Sequence, residues 1–227
     1  MIVRPARALA ASLLVGSISI PERAFANPFG YHEHDGFYLR MSGGAASLFV
    51  DRSTERDGAQ GSLAYSGDSS SVGGASIFAE LSIGGTAFQH VVVAGTLLGT
   101  NLPAAGLELA SGSRLNLGTP LWFAFIGPTL DVFPSHTGGL HFGAGAGWAV
   151  ATAGVQQDRL FDTIGGGGIG ATVSFGYDAW VGDDWSVGVV ARGVLARIRG
   201  EQQSSAVVGR ELDTVSSMSL AASALFH

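Results

Sequence analysis

Four segments of the sequence alternate between apolar and small or polar residues, the period of a β-strand whose two faces meet different surroundings. They span residues 75–83, 140–150, 169–181 and 217–226. In the first, Ala75, Ile77, Ala79, Leu81 and Ile83 share one face. No stretch beyond residue 26 has 18 consecutive apolar residues, so the sequence predicts no membrane-spanning helix there.

Four less regular candidates complete a set of eight strands, at residues 36–50, 88–98, 121–133 and 185–199. The segment 121–133 is the weakest, because both its faces are apolar and Pro128 cannot donate to a strand ladder. Short turns are expected at 84–87, 134–139 and 182–184, and long connections at 51–73, 99–120, 151–168 and 200–213. This strict alternation of connections predicts an up-and-down meander whose two ends face different environments.

The composition of the two strand faces indicates which one meets water. One face carries Gly, Ser, Thr and Ala with isolated charges, and the other carries Val, Ile, Leu, Ala and Phe. Only 13% of all residues are charged. Small polar residues suit a narrow interior, and closure removes unpaired backbone groups from hydrocarbon. We therefore predict an all-β fold, an eight-stranded antiparallel up-and-down transmembrane β-barrel. The alternative is a soluble secreted barrel with an apolar interior that binds a ligand.

The first 26 residues have the three parts of a secretory signal peptide. Arg4 and Arg7 precede an apolar stretch at 8–20, and Ala24 and Ala26 form a small-x-small cleavage pattern. We predict a signal peptide at 1–26, a short tail at 27–35 and the barrel at 36–227. The net charge of −6 argues against a nucleic-acid partner.

Aromatic residues cluster near the ends of the predicted strands, as expected for side chains that prefer the membrane interface. Those near the short turns are Phe37, Phe88, Phe133, Tyr177, Trp185 and Phe226, and those near the long connections are Phe49, Trp122 and Trp148.

The run from Met218 to Phe226 resembles the C-terminal strand of bacterial outer-membrane barrels, in which alternating apolar residues end in an aromatic. Residues 126–128 (IGP), 138–142 (GGLHF) and 176–180 (GYDAW) resemble repeating elements of small exported barrels. Over residues 36–227 the chain is similar to the group of the OmpA transmembrane domain and OmpX. The resemblance implies a bacterial outer-membrane location, contact with membrane lipid and lipopolysaccharide, and recognition of the last strand by the barrel-insertion machinery. We expect a monomer.

Five charged residues fall on the predicted lumen face: Arg40, Glu80, Asp131, Asp178 and Arg192. Because an unpaired buried charge is costly, we expect these side chains to form an internal lattice of ion pairs. The alternative is an ion or proton path through the lumen. Strand parity does not say which carboxylate meets which arginine.

Residues for catalysis or for a cofactor are mostly missing. The chain has no Cys, and all twelve of its basic residues are Arg, which excludes thiol chemistry and a Walker-type loop at 165–168. His32, His34 and Asp35 could bind a metal, but they fall in the predicted tail, so we expect none. The long connections contain no His, so we expect no catalysis at the outer rim. The sequence favours a structural or surface-interaction role, with a narrow channel for ions or small solutes as the alternative.

Overall fold

The structure is a computed structural model that describes residues 36–55, 70–88, 90–103, 106–108, 114–116, 120–135, 138–157, 160–204 and 207–227. The predicted signal peptide and tail lie outside these residues. Ten strands are present in the described ranges: β1 Phe37–Glu55, β2 Ser70–Phe88, β3 Val91–Leu102, β4 Gly106–Glu108, β5 Arg114–Asn116, β6 Leu121–Val132, β7 Leu140–Gln157, β8 Leu160–Trp180, β9 Trp185–Ser204 and β10 Val207–Phe226. No helix in the described residues is long and apolar enough to cross a bilayer.

Eight of these strands close into a barrel. Each pairs antiparallel with its neighbours in the order β1, β2, β3, β6, β7, β8, β9, β10, and β10 pairs again with β1. The short strands β4 and β5 form a hairpin that pairs with β2 through Ser71 and Val72, beyond the end of β3. The predicted eight-stranded antiparallel barrel is therefore confirmed.

The strands are strongly staggered around the barrel. A path that starts at Tyr38 and follows directly paired residues through all eight strands returns to β1 at Leu48, ten residues further along. Such a stagger tilts the strands against the barrel axis, and an eight-stranded barrel is then just wide enough for side chains to fill its interior. The lumen is thus a packed region whose composition decides what the barrel can do.

The observed strands run well beyond the predicted ones. Much of the predicted long connections is strand, and β7 and β8, for example, remain paired as far as Gln157 and Leu160. The composition of these segments predicted loops because it is rich in Gly and polar residues. Backbone pairing nevertheless continues there, and these strands are longer than the roughly 9–11 residues that cross a bilayer. We call the side of the barrel towards which they extend the loop end, and the opposite side the short-turn end.

The predicted turn at 84–87 is wrong, because β2 continues to Phe88, which we had placed in the next strand. Gly84 and Gly85 pair with Ala94 and Val93 of β3. A Cβ atom at Gly84 would collide with the backbone of Ala94, so this glycine serves a close approach between strands rather than a turn. The predicted short turns at 134–139 and 182–184 do separate successive strands.

Segment 121–133 forms strand β6 despite Pro128. On the β7 side, the pairing stops between Ile126 and Thr129, where a proline cannot donate a hydrogen bond. On the β3 side it is continuous, with Pro128 opposite Gly95. The proline therefore interrupts one ladder locally without ending the strand.

The outer wall of the barrel is apolar. Large side chains that are at least one-third exposed cover it on every long strand, including Ile77, Leu97, Ile126, Val173 and Met218. The interior differs from the prediction, because small polar residues dominate only its short-turn half. Towards the loop end Ser76, Thr100 and Asp213 are buried as well, but most inward side chains are apolar and buried: Leu48, Val50, Val72, Phe78, Leu98, Leu102, Leu121, Phe123, Phe125, Val194, Ala196, Ile198 and Val215. We call this group the apolar core.

Five of the six aromatics predicted at the short-turn interface lie at least partly exposed: Phe37, Phe88, Tyr177, Trp185 and Phe226. Phe133 does not, because it is fully buried inside the barrel with Tyr38, Val92 and Leu225. The reason is parity. Odd-numbered residues of β6, such as Asp131, point inward, and Phe133 continues that series just past the end of the strand. At the loop end, Phe49, Trp122 and Trp148 are half-exposed on the outer wall.

Candidate functional site: the charged interior

The structure places the five predicted lumen charges inside the barrel, each at most 5% exposed. They come from five strands: β1 (Arg40), β2 (Glu80), β6 (Asp131), β8 (Asp178) and β9 (Arg192). They form two groups, one around Arg40 near the short turns and one around Arg192 further along the lumen. The pairing that strand parity left open is thereby resolved.

Arg40 is the centre of the first group. Its Nη1 donates to Oδ2 of Asp131 at 3.3 Å, and its Nη2 lies 3.9 Å from Oδ2 of Asp178. The guanidinium thus lies between two carboxylates that reach the lumen from different strands. A buried carboxylate is stable only if it is paired and hydrogen-bonded, so each acid depends on Arg40.

A tyrosine, a histidine and a serine complete this group. Nε2 of His141 lies 3.0 Å from Oδ2 of Asp178, the Tyr38 hydroxyl donates to Oδ2 of Asp131 at 3.0 Å, and Ser223 donates to Oδ1 of Asp178 at 2.5 Å. We call Tyr38, Arg40, Asp131, His141, Asp178 and Ser223 the Arg40 cluster. The cluster joins β1, β6, β7, β8 and β10 across the lumen.

Neither Tyr38 nor His141 is among the five lumen residues predicted from the sequence. The signal for Tyr38 was present, because it is two residues from Arg40 and therefore on the same face of β1. His141 shares the inward parity of β7 with Gly143 and Gly145. What parity cannot supply is the height of each side chain along the barrel axis, which depends on the strand stagger.

Inward-facing glycines make room for the cluster. A Cβ atom at Gly176 would collide with the ring of His141, and one at Gly143 would collide with the carboxylate of Asp131. The lumen is narrow, so an arginine, a histidine and two aspartates fit at one level only where neighbouring strands offer no side chain. This explains why glycine alternates with larger residues on β7 and β8.

The second group is the Glu80–Arg192 pair, whose Oε1 and Nη2 atoms are 2.6 Å apart. Arg192 also donates from Nη1 to the Thr172 hydroxyl at 3.2 Å, and Ser82 donates to Oε1 of Glu80 at 2.9 Å. Hydroxyl contacts of 2.8 and 2.7 Å continue from Ser82 to Thr96 and Thr129 along the inner wall. Both charges are therefore held by polar neighbours on several strands.

Apolar side chains enclose these charges from both ends. At the short-turn end, Val92, Phe133 and Leu225 are buried, and the Phe133 ring lies 5.4 Å from the His141 ring between centroids. At the loop end, the apolar core begins with Phe78, Leu98 and Phe125. The five charges therefore lie between two layers of buried apolar side chains. This arrangement favours ion pairing over chemistry on a bound substrate.

The metal-binding alternative concerns histidine and acidic residues. His32, His34 and Asp35 lie outside the described residues. Within the described ranges, no three His, Cys, Asp or Glu residues are grouped so that they could hold a metal ion. The three histidines that the structure describes, His90, His141 and His227, all lie at the short-turn end.

Comparison with known proteins identifies the fold. No protein-family model matches the chain, and no curated protein matches it. Among solved structures, it is similar to the outer membrane protein AlkL in lipid bilayers, with a TM-score of 0.51, 15% identity, and coverage of 88% of this chain and 94% of AlkL. It also matches OprG from Pseudomonas aeruginosa (TM-score 0.48, 12% identity, 86% and 99% coverage) and Neisserial surface protein A (0.46, 14%, 84% and 96%). At these identities the likeness concerns the fold alone, and the chain has the fold of the small eight-stranded outer-membrane β-barrels.

Proposed function

We propose that the protein resides in the bacterial outer membrane as a closed, non-catalytic barrel with a structural or surface-interaction role. In this role it contributes to envelope integrity and presents its loop end for adhesion. The apolar outer wall supports a lipid environment, because a soluble barrel would place charged residues there. The long β-hairpins beyond the membrane supply surface for contacts with lipopolysaccharide or with other cells.

One observation carries the proposal: buried side chains occupy the lumen at three successive levels of the described barrel. Tyr38 and Phe133 fill it at the short-turn end, the two groups of ion pairs fill the middle, and Leu98 and Phe123 fill it towards the loop end. All four of these named side chains are at most 1% exposed. An ion that crossed such a barrel would have to pass through a dry apolar layer, at the high cost of leaving water. The packing therefore favours a plug over a conducting path.

Heat-modifiable gel mobility tests the membrane barrel. The chain would be expressed in a Gram-negative host, and boiled and unboiled outer-membrane samples compared by electrophoresis. A folded barrel resists detergent until it is boiled, so we expect two different mobilities in the outer-membrane fraction. A single mobility, with the chain in the soluble periplasmic fraction, would contradict the membrane location and favour the soluble ligand-binding barrel.

Planar-bilayer recording separates the closed barrel from the channel. We expect the purified, heat-modifiable protein to insert without a steady conductance, while a porin recorded in the same membrane conducts. A stable conductance that changes in Glu80→Gln or Arg192→Gln would instead assign the lumen charges to an ion path. Protease added to whole cells then tests orientation, because cleavage between residues 56 and 69 requires the loop end to face outward.

A further inference from the structure

On the outer wall, the described side chains carry little charge, and that charge lies towards the loop end. Among the strand side chains whose exposure the structure describes, three charged ones face outward: Asp51, Arg197 and Arg199. Arg197 and Arg199 follow each other on β9 at the two-residue spacing of one strand face, roughly 7 Å apart. Their backbone positions are this close on one face, so the two positive charges repel each other when the guanidinium groups approach, and an anion between them removes that repulsion.

The position of these arginines on β9 coincides with a sharp change in the outer wall. The outward residues of β9 from the short-turn end are Val187, Val189, Ala191, Gly193 and Leu195, and then Arg197 and Arg199. On β10, the outward face likewise changes from Leu220 and Met218 to Ser216 and Thr214. Apolar wall therefore ends and polar wall begins at Arg197, which is where the headgroups of a membrane leaflet would lie.

The glycine run at 165–168 shapes the surface beside the arginines. Sequence analysis excluded it as a phosphate loop, and in the structure it belongs to β8. Gly167 faces outward and pairs with Val150 on one side and Arg199 on the other. A Cβ atom there would collide with the indole of Trp148, so this indole lies across the glycine. The missing side chain therefore leaves room for the indole beside the strand that carries Arg199.

The register completes the patch. Trp148 pairs with Ile169, and Ile169 pairs with Arg197, so the three lie side by side on the outer wall. Ile169 is 70% exposed and Trp148 is 54% exposed. This patch matches the three parts of a phosphorylated lipid. The indole lies at the level of the sugar ring or glycerol, the two cations above it face the phosphate, and the exposed aliphatic wall below it faces the acyl chains.

We propose that Trp148, Arg197 and Arg199 form a binding site for the phosphate group of a membrane lipid in the leaflet at the loop end. The two guanidinium groups donate to the phosphate oxygens, and the acyl chains lie along Ile169 and Leu195. This site deepens the envelope role proposed above and rests on it for the membrane location. It does not depend on whether the lumen conducts.

The test uses the full barrel in detergent, titrated with bisphosphorylated lipid A and with its dephosphorylated form, and followed by tryptophan fluorescence and native mass spectrometry. We expect the phosphorylated lipid to bind, and Arg197→Gln/Arg199→Gln to weaken it about tenfold or more, since a hydrogen bond to a charged group is lost at each position. The affinity of Arg197→Lys/Arg199→Lys should lie between those of the parent protein and of the Gln double variant, because lysine keeps the charge but lacks the planar guanidinium group. The Gln and Lys variants must show heat-modifiable mobility.

A matched control removes one charge far from the patch. Arg114→Gln on β5, on the other side of the barrel, should leave the affinity unchanged. Equal weakening by Arg114→Gln would show attraction by overall charge only and would overturn the site. Equal binding of the dephosphorylated lipid would overturn the phosphate contact, and displacement by inorganic phosphate at comparable concentration would assign the site to free phosphate. Conductance in bilayers, with lipid binding intact, would contradict the closed barrel but leave the site in place.

Discussion

The two halves of the barrel interior differ in the polarity of their inward side chains. In the short-turn half, Arg40 and Arg192 are paired with three carboxylates and surrounded by hydroxyl groups. In the loop half, most inward side chains are apolar and buried, and Ser76, Thr100 and Asp213 are buried polar residues among them. The outer wall changes in the opposite sense: it is apolar around the charged half, and it gains Asp51, Arg197 and Arg199 around the apolar half.

The comparison shows that the same strands reverse the placement of polar and apolar side chains along their length. Inside the membrane the strands keep apolar residues outward, and the narrow lumen takes the polar side. Where the same strands extend into water, the ordinary preference of a soluble protein returns, and Ile198 points inward between the outward Arg197 and Arg199. The apolar core thus fills the loop half of the lumen with buried side chains.

The largest effect is expected when the charged half loses its central cation. Arg40→Met leaves Asp131 and Asp178 buried without their arginine, which should lower the free energy of unfolding by about 3–5 kcal/mol. Urea titration of the barrel folded in lipid vesicles, followed by tryptophan fluorescence, measures this loss. Arg40→Lys is the control and should lose less, because it keeps the charge. An unchanged urea midpoint for Arg40→Met would show that the ion pairs contribute nothing to the charged half.

The apolar half can be tested with two neighbouring leucines on β3. Leu98 is 1% exposed and belongs to the apolar core, whereas Leu97 is 50% exposed on the outer wall. Leu98→Ala should cost about 3 kcal/mol, because it leaves a cavity in a dry core. Leu97→Ala should cost clearly less, since lipid chains refill the space. Equal losses in the same urea titration would mean that the loop half is not packed as a core.

The fold was predictable because strand parity and the alternation of connection lengths both come directly from residue order. The predicted strands are too short, because segments such as 151–168 have the composition of loops and yet are paired along the backbone. The predicted place of Phe133 at the membrane interface is wrong, because proximity to a strand end does not decide which way a side chain points. Phe133 is two residues from Asp131 and therefore points inward as Asp131 does. The partners of Arg40 could not be predicted, since they depend on the stagger of strands that are distant in sequence.

A smaller effect is expected at the edge of the Arg40 cluster. Ser223→Ala removes the hydroxyl that donates to Asp178, while Arg40 and His141 still hold that carboxylate. The expected loss is about 1.5–3 kcal/mol, the usual range for a hydrogen bond to a charged group. Ser216→Ala, on the outer face of the same strand, should stay within about 0.5 kcal/mol of the parent protein. A loss at Ser223 no larger than at Ser216 would show that the serine is dispensable for the cluster.

The smallest effect is expected from the most drastic chemical change, the conversion of the charged pair into apolar packing. Arg192→Met alone leaves the Glu80 carboxylate buried without its partner, which should lower the free energy of unfolding by about 3–5 kcal/mol. Glu80→Leu/Arg192→Met removes both charges, so its free energy of unfolding should stay within about 1 kcal/mol of that of the parent protein. The neighbours can tolerate this, because Ser82 keeps its contact with Thr96, and Thr172 still donates to the carbonyl of Gly193. Recovery of stability in the double variant would mean that the apolar core can extend into the charged half. If the double variant is as unstable as Arg192→Met, the pair stabilises this half in a way that apolar packing cannot replace, and the two halves differ by necessity.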